Sequence, residues 1–351
     1  MSSGPLRVAV VGYGLGGSVF HAPLVEATDD MTLEVVVTSD RERAEAARRR
    51  YPRARVVARA AELFEDPDRV DLVVITVPNA HHFELAEAAL EAGMATVIDK
   101  PVTPTSAEAR RLARLAEEKG LSAIPYHNRR WDGDYLTLEG LVRSGRLGEV
   151  WRFESRFERW RPGPPPVRTW KHDASQPGGG ILFDLGSHLV DQALHLFGRP
   201  QSVYAEMTGH GGPLDDDSFV ALHYSSGPAV HLWAATTAAS PGPRFRVLGS
   251  EAAYVKWGTD PQEAALRSGG LPSDPGWGSE VPEAWGEIGT VEQSERVPTR
   301  PGTYQQFYRR VADHMLRGAE PPVRMADAIA GLEILEAAIA SARSGSVVTL
   351  H

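Results

Sequence analysis

Residues 12 to 17 are Gly12-Tyr13-Gly14-Leu15-Gly16-Gly17, a G-x-G-x-x-G pattern that directly follows the apolar run Leu6–Val11. Residues 18–27, which come next, have apolar side chains at helical spacing. Between a strand and a helix, Gly12 permits a tight turn, Gly14 lets the backbone approach a pyrophosphate, and Gly17 allows close helix–strand packing. The helix N-terminus then faces the anion. The pattern predicts that these six residues bind a dinucleotide.

The first third of the chain alternates Val-rich runs with segments of helical spacing. Strands are predicted at residues 6–11, 33–38, 71–77 and 96–99, and helices at residues 18–27, 41–50, 83–92 and 107–119. Strands that alternate with helices are typical of a parallel sheet covered on both faces. We therefore predict an N-terminal Rossmann dinucleotide-binding domain over residues 1–125.

The pattern changes after residue 125 to one typical of antiparallel strands. In residues 150–158, the side chains Trp151, Phe153, Ser155 and Phe157 alternate with Arg152, Glu154, Arg156 and Glu158. This alternation predicts a strand with one face exposed to solvent. Further strands are predicted at residues 202–207, 219–224, 230–235, 245–248 and 253–257, and closing helices at 304–317 and 326–342. We predict a second α/β domain over residues 126–351 with an open, largely antiparallel sheet.

Composition excludes several classes of function. The 351 residues, enough for about two domains, carry 37 Lys and Arg against 46 Asp and Glu, and the net charge of −9 argues against nucleic acid as a partner. The absence of cysteine excludes disulfides, thiolate nucleophiles and Cys-based zinc sites. No apolar run approaches the roughly 20 residues of a membrane span, and no basic leader follows Met1. We expect a cytoplasmic protein without membrane contact or metal, whose redox chemistry would need an organic cofactor.

The segment Thr38-Ser39-Asp40-Arg41 follows the second predicted strand, where the adenosine ribose of a dinucleotide binds. A carboxylate there typically accepts from the 2′-hydroxyl of NAD, whereas hydroxyls with an arginine suit the 2′-phosphate of NADP. Asp40 either faces the ribose or caps the helix that begins at Arg41. Because Thr38, Ser39, Arg41 and Arg43 outnumber one carboxylate, we favour NADP(H), with NAD(H) as the alternative.

Two further segments carry polar groups suited to chemistry. Lys100, in Asp99-Lys100-Pro101, follows a predicted parallel strand and so lies on the crevice side where ligands bind; the alternative is a solvated surface lysine. Asp184 and His188 are four residues apart, so on a helical turn they share a face and can pair. Such a pair supports an imidazole that exchanges an alcohol proton. The alternative is a buried structural histidine with a helix-capping aspartate.

These segments together resemble the glucose–fructose oxidoreductase/inositol dehydrogenase (Gfo/Idh/MocA) family over nearly the whole chain. The resemblance rests on residues 12–17, Pro78-Asn79-Ala80-His81-His82, Asp99-Lys100-Pro101 and Asp184-Leu185-Gly186-Ser187-His188. Within the family, residues 18–21, 126–132, 184–198 and 277–278 resemble the NADP-dependent scyllo-inositol 2-dehydrogenase subgroup. One departure is that the family's usual Glu-Lys-Pro reads Asp99-Lys100-Pro101 here, which keeps the charge on a shorter arm.

The resemblance implies a reversible, NAD(P)-dependent oxidation of a ring hydroxyl of an inositol or sugar to a ketone. It implies that Lys100 orients the hydroxyl, that His188 is the acid/base and that Asp184 positions substrate and histidine. Pro78, Asn79 and His82 would border the nicotinamide side of the cofactor, next to Asp99 and Lys100. The open sheet would serve both substrate binding and assembly into a homodimer or homotetramer.

A polyol substrate needs several hydrogen-bond partners. The candidates are Tyr126, His127, Arg129, Arg130, Trp170 and Lys171. Trp170 could stack on a sugar ring or simply anchor a loop. Two other functions stay open: redox-assisted glycoside hydrolysis with tightly held NAD, and a non-catalytic dinucleotide-binding regulator. The presence of Lys100, Asp184 and His188 argues against the regulator.

Overall fold

The computed structural model of the chain describes residues 4–65, 69–161, 163 and 177–350. The chain folds into two compact units. The first comprises Met1–Asn128, Gln262–Trp277 and Thr303–Ala328, and the second comprises Arg129–Pro261, Gly278–Gly302 and Ile329–His351. The change of pattern near residue 125 predicts one boundary, whereas each unit described here is made from more than one stretch of chain.

The first unit contains a six-stranded parallel sheet. Its strands are β1 (Leu6–Val11), β2 (Met31–Val37), β3 (Arg55–Val57), β4 (Leu72–Ile75), β5 (Ala95–Asp99) and β6 (Ala123–Tyr126). Their order is β3-β2-β1-β4-β5-β6, and every neighbouring pair is parallel. This is the strand order of a Rossmann fold, in which ligands bind at the carboxyl ends of β1 and β4, where the order reverses. The predicted N-terminal fold is therefore confirmed.

Helices of the first unit begin and end at residues that the sequence marks. They are α1 (Ala22–Glu26), α2 (Arg41–Arg50), α3 (Ala61–Phe64), α4 (His82–Glu91), α5 (Ser106–Lys119), α8 (Gln262–Arg267) and α9 (Gln305–Arg317). Asp40 caps α2 by accepting from the Arg43 backbone, and Thr105 forms a capping box with Glu108 at the start of α5. Gly120 ends α5 in the left-handed conformation, with φ +64°.

The second unit contains a nine-stranded open sheet. Its strands are β7 (Val150–Glu158), β8 (Ser202–Thr208), β9 (Asp217–His223), β10 (Ala229–Ala235), β11 (Phe245–Gly249), β12 (Ala253–Lys256), β13 (Gly286–Gly289), β14 (Ser294–Val297) and β15 (Val348–Thr349). The order is β14-β13-β12-β11-β7-β10-β9-β8-β15, and only the pair β7–β10 is parallel among these strands. Helices α6 (Gly133–Arg143) and α7 (Ser187–Phe197) belong to this unit, and α10 spans Met325–Ser344. The predicted open, largely antiparallel sheet is confirmed.

Strand β7 corrects one expectation about the alternation of buried and exposed side chains. Phe153 and Phe157 are buried as expected, but Trp151 is 58% exposed and Glu154 is only 7% exposed. Glu154 accepts hydrogen bonds from Arg156 and Arg246, each at 2.8 Å. The predicted exposed face is thus partly covered, because these two arginines lie over the carboxylate.

The described part of the chain contains no helix that is both long and apolar enough to cross a membrane.

Candidate active site

The turn after β1 has no room for side chains at three of its glycines. Gly12 has φ +100°, and a Cβ there would lie 2.5 Å from the Thr76 carbonyl oxygen. A Cβ at Gly16 would lie 2.1 Å from Thr76 Oγ1, and one at Gly17 would lie 2.0 Å from the Gly12 carbonyl oxygen. The backbone of the turn therefore packs directly on the residue that follows β4, at the predicted ligand crevice. An added Cβ at Gly14 would meet no protein atom nearer than 3.6 Å, so this position leaves the close backbone approach that a dinucleotide pyrophosphate needs.

The two non-glycine residues of the turn, Tyr13 and Leu15, differ in their exposure to solvent. Tyr13 is buried, whereas Leu15 is 50% exposed. The helix that follows begins as a π-helical turn over Gly16–His21, and both the backbone N–H and the hydroxyl of Ser18 donate to the Gly14 carbonyl oxygen. Single π-helical turns are frequent at functional sites. Because Tyr13 is buried, its predicted contact with a dinucleotide stays a prediction.

The segment after β2 presents polar side chains around the start of α2. Half-buried or exposed side chains are those of Thr38, Ser39, Asp40 and Arg41. The Asp40 carboxylate accepts from the Arg43 backbone at 3.0 Å and lies 3.7 Å from Arg43 Nε. A Cβ on Gly14 would lie 3.6 Å from Arg43 Nη1. Of the two interpretations of Asp40, the helix cap is observed, and Arg43 lies beside the glycine-rich turn.

The Asp99 carboxylate joins the end of β5 to the glycine-rich turn. Its Oδ1 accepts from the Lys100 backbone N–H at 2.8 Å, and its Oδ2 accepts from the Thr76 hydroxyl at 3.3 Å. His21 Nε2 lies 3.6 Å from Oδ2. Burial alone would raise the pKa of Asp99, but its interactions with His21 and the positive charge of Lys100 hold that pKa well below its usual value. Asp99 is therefore ionised throughout the neutral range.

His82 connects the segments that follow β4 and β5. Its ring is 1% exposed, with Nδ1 2.8 Å from the Pro101 carbonyl oxygen and Nε2 2.9 Å from the Val77 carbonyl oxygen. Burial lowers the pKa of His82, although both carbonyl contacts act in the opposite direction. Asn79 is buried and Pro78 is half-buried. The nicotinamide contacts expected of these three residues stay predictions, and the His82 ring is already engaged by backbone.

Asp184 and His188 lie in one continuous helical stretch of the second unit, residues 182–197. Residues Leu182–Gly186 form a π-helical turn, and α7 continues from Ser187. Asp184 Oδ2 is 3.9 Å from Arg159 Nη2, and His188 is 5% exposed. The backbone at Asp184 is thus π-helical rather than α-helical, which the four-residue spacing alone does not reveal.

The turn that carries Asp184 is held at its start by Asp215. The Asp215 carboxylate accepts from the Leu182 backbone at 2.7 Å, and its carbonyl oxygen accepts from the Ile181 backbone at 3.0 Å. Gly180 has φ +90°, and a Cβ there would lie 1.8 Å from Asp215 Oδ1. Burial raises the pKa of Asp215, and its hydrogen bonds partly offset this effect. The loop before β9 therefore fixes where the turn begins.

An aromatic ring with two cations lies against His188. The Phe157 and His188 ring centroids are 6.3 Å apart at 71°. The guanidinium groups of Arg244 and Arg129 lie 3.9 Å and 4.8 Å from the Phe157 centroid. Arg244 is 2% exposed and donates to the Gln192 side chain at 2.7 Å. His188 is therefore buried beside a ring that contacts two guanidinium groups, each of which also has a carboxylate partner, Asp132 or Asp134.

The structure gives several predicted substrate residues other partners. Arg130 is 8% exposed and donates to both carboxylate oxygens of Asp191, at 2.9 Å and 2.6 Å. Tyr126 is 2% exposed and its hydroxyl donates to the Phe20 carbonyl oxygen at 3.2 Å. His127 is also buried. Their contacts with substrate stay predictions, and the first two are engaged within the protein.

Arg129 is 12% exposed in its side chain and contacts the Asp132 carboxylate at 3.4 Å. Trp170 and Lys171 lie outside the described residues. Within those residues, no group of three or more His, Asp or Glu side chains is arranged to bind a metal ion.

Several residues that surround these sites belong to no sequence motif that would identify them as functional. His21, Tyr308, Arg244, Asp215 and Phe157 each contact or support a predicted site residue. Each is brought there from a distant part of the chain or from a strand face. His21 alone lies within a segment that carries the family resemblance, and that resemblance assigns it no role.

Comparison with known proteins agrees with this geometry. The model of the "Oxidoreductase family, NAD-binding Rossmann fold" matches residues 6–127, and that of the "Oxidoreductase family, C-terminal alpha/beta domain" matches residues 139–350. Scyllo-inositol 2-dehydrogenase (NADP(+)) IolW of Bacillus subtilis is 36% identical, over 99% of this chain and 96% of its own length. The uncharacterized oxidoreductase YdgJ of Escherichia coli is 40% identical, over 98% of this chain and 99% of its own length.

A solved structure shows the same fold over the whole chain. The oxidoreductase yvaA from Bacillus subtilis superimposes with a TM-score of 0.94 at 34% identity, covering 100% of both chains. With both halves matched by family models and relatives aligned from end to end, the chain belongs to the Gfo/Idh/MocA family of oxidoreductases.

Proposed function

We propose that the protein is an NADP-dependent dehydrogenase of the scyllo-inositol 2-dehydrogenase type, which reversibly oxidises one ring hydroxyl of an inositol or related sugar to a ketone. The observation that carries the proposal is the Asp99 carboxylate. It accepts from the Lys100 backbone and lies 3.1 Å from where a Cβ on Gly16 would be. Lys100 thus follows a residue packed on the glycine-rich turn. The name of IolW supports the same reaction.

Lys100, Asp184 and His188 supply the groups that such an oxidation needs. When bound, the nicotinamide dinucleotide accepts the hydride from the carbinol carbon. The Lys100 ammonium stabilises negative charge that develops on the substrate oxygen, and His188 accepts the hydroxyl proton. Asp184, with Arg159 beside it, orients the substrate and the imidazole. In reduction the same proton returns from His188 to the oxygen.

Cofactor choice is proposed from the residues that follow β2. Thr38, Ser39 and Arg43 provide two hydroxyls and a guanidinium for a 2′-phosphate, while Asp40 is engaged as the helix cap. We therefore favour NADP(H), and NAD(H) stays the alternative. The expected result is a higher kcat/KM with NADP than with NAD, which Arg43→Ala lowers selectively for NADP.

The test is absorbance at the reduced-nicotinamide band, with NADP and NAD offered separately against a panel of inositols, aldoses and their keto forms. Turnover of a cyclic polyol is expected, with Lys100→Ala and His188→Ala each lowering kcat by about a hundredfold or more while dinucleotide affinity changes little. Near-normal turnover of both variants contradicts the assigned roles. If the panel is inactive, cleavage of an aryl glycoside without net consumption of NAD identifies the glycoside-hydrolase alternative.

We also propose that the open sheet forms the interface of a homodimer or homotetramer. On one face, Phe219, His231 and Trp233 contact one another, and the Arg156 guanidinium lies 3.9 Å from the Trp233 centroid. Aromatic residues and arginine are typical of interface cores. A cytoplasmic location and the absence of nucleic-acid or membrane partners stay predictions of the sequence.

A further inference from the structure

A buried tyrosine–histidine pair lies next to Asp99 in the first unit. His21, the last residue of the π-helical turn, and Tyr308, in α9, are both 0% exposed. The Tyr308 hydroxyl and His21 Nδ1 are 2.6 Å apart, and His21 Nε2 is 3.6 Å from Asp99 Oδ2. The Tyr126 ring covers the imidazole, with centroids 4.1 Å apart. Three polar groups thus form a line from α9 to the end of β5.

The surroundings of the ring determine where its proton lies. A lone pair on Nε2 would face the negative charge of Asp99, so an N–H there is favoured. Nδ1 then accepts from the Tyr308 hydroxyl, whose pKa burial raises well above its usual value, which keeps the phenol protonated. Asp99 and Tyr308 therefore favour the same tautomer of His21, which directs its Nε2–H at the Asp99 carboxylate 3.6 Å away.

Asp99 connects His21 to the backbone of Lys100. Its Oδ2 faces His21 and accepts from the Thr76 hydroxyl, while its Oδ1 accepts from the Lys100 backbone N–H. Gly16 leaves the space that the carboxylate occupies. A carboxylate held on both oxygens fixes the peptide that carries Lys100, and small displacements of a catalytic group are costly.

We propose that His21 and Tyr308 are positioning residues for the Lys100 reaction, acting through the Asp99 carboxylate. This inference rests on the proposed dehydrogenase function for its kinetic consequence, but its structural consequence is independent of that function. The alternative is that the two side chains only fill the core between α9 and β6, in which case removing the phenolic oxygen leaves Lys100 undisturbed.

The decisive variants remove polar contacts of the pair while keeping a side chain of similar size. Tyr308→Phe deletes the hydroxyl that hydrogen-bonds to His21 Nδ1 and supports the tautomer with its N–H on Nε2. His21→Leu deletes both ring nitrogens, and with them the contact to Tyr308 and the N–H that faces Asp99, whereas His21→Gln keeps an amide N–H. The matched control is Tyr135→Phe in the second unit, where the hydroxyl of the buried Tyr135 lies 2.7 Å from Nδ1 of the partly exposed His195.

Two readouts are made on the full-length protein. The first is hydrogen–deuterium exchange of a peptide that contains Lys100. The Lys100 backbone N–H donates to Asp99, and the next residue, Pro101, has no N–H that would add to the signal. The second is kcat, KM and NADPH affinity, with the polyol that gives the fastest turnover. Tyr308→Phe is expected to speed exchange at Lys100 and to lower kcat by about tenfold with little change in NADPH affinity. His21→Leu should lower kcat further, and His21→Gln should recover part of the loss.

The inference is overturned if Tyr308→Phe and His21→Leu exchange at Lys100 at the wild-type rate, or if Tyr135→Phe lowers kcat as much as they do. Should the wild-type protein oxidise no polyol, the proposed function fails. The exchange readout then still decides the positioning role, because it needs no turnover.

Discussion

Three glycines of the turn after β1 are required for contact, and the fourth is not. Added Cβ atoms at Gly12, Gly16 and Gly17 would meet Thr76 or the turn itself at 2.0–2.5 Å, distances that real Cβ atoms do not show. At Gly14 the nearest atom would be Arg43 Nη1 at 3.6 Å, which is ordinary van der Waals contact. Gly12, Gly16 and Gly17 are therefore required for the packing of the turn, whereas Gly14 keeps space on the ligand side.

This difference predicts that two glycine variants separate stability from binding. Gly17→Ala is expected to destabilise the protein by about 1–3 kcal/mol, because the backbone must shift to admit the methyl group. Gly14→Ala is expected to leave the thermal midpoint nearly unchanged while weakening NADPH binding, since its Cβ points to the side where a pyrophosphate would approach. Thermal unfolding and NADPH fluorescence titration measure the two effects, and equal destabilisation by both variants contradicts the assignment.

Asp99 predicts a defined pH dependence of stability. Because its folded-state pKa lies below the unfolded value of about 3.9, the ionised form stabilises the fold above that pH, and the stabilisation is lost as the pH falls towards the folded-state pKa. Asp99→Asn is expected to lower the free energy of unfolding at pH 7 by about 1–3 kcal/mol. The difference from wild type should shrink below about pH 4 in denaturant titrations, and a constant difference down to pH 3 contradicts it.

The sequence predicts motifs at this scale better than it predicts partners. The glycine turn and the cap at Asp40 are local features, so spacing alone locates them. Arg130 is a chemically reasonable substrate ligand in sequence, yet it pairs with Asp191 from α7. Tyr308 lies 287 residues from His21, and no pattern along the chain indicates that contact. Tertiary packing decides which polar groups are already occupied.

Among the elements, the π-helical turn before α7 depends on an anchor outside itself. Asp215 accepts from the backbone of Leu182, two residues before Asp184. Asp215→Ala is expected to lower kcat by about tenfold, because the turn that carries Asp184 and leads to His188 loses its fixed start. NADPH affinity should change little, since Asp215 belongs to the second unit.

The controls for this element are one conservative and one neighbouring change. Asp215→Asn keeps an acceptor oxygen and should retain most of the activity. Asp216→Ala removes contacts to His210 and Gly211 instead, and should leave kcat close to wild type. Loss of activity in Asp216→Ala equal to that in Asp215→Ala would show that the whole loop, rather than the anchor, matters.

The open sheet makes a prediction about assembly. Trp233→Glu places a charge in the half-buried group formed by Phe219, His231 and Trp233 and is expected to reduce the mass of the assembly in light scattering after size-exclusion chromatography. Trp151 is 58% exposed, and by the alternation of β7 it belongs to the opposite face from Arg156. Trp151→Glu should therefore leave the mass unchanged. If Trp233→Glu leaves the mass unchanged, the proposal that the face carrying Trp233 forms the interface is wrong.

For the whole molecule, the first unit includes two stretches far from the N-terminal sequence. Phe307 and Tyr308 of α9 are fully buried, and Phe307 contacts Tyr126 with centroids 4.7 Å apart. A fragment of residues 1–128 lacks this covering and is expected to show no cooperative thermal transition by circular dichroism. A sharp transition together with NADPH binding by the fragment would contradict this. The sequence predicts a parallel sheet in the N-terminal domain, but it does not predict that α9, near the end of the chain, packs in the same unit.

The recruitment of α9 has a consequence for how relatives can exchange parts. A chimera with a single junction near residue 128 would take the glycine turn, His21 and Asp99 from one parent and Tyr308 from the other. The two partners of the His21–Tyr308 contact would then come from different proteins. The proposed cofactor contacts would come from one parent, while the side chains packed behind them would come from the other. Swapping residues 1–128, 262–277 and 303–328 together is the exchange that keeps the unit intact.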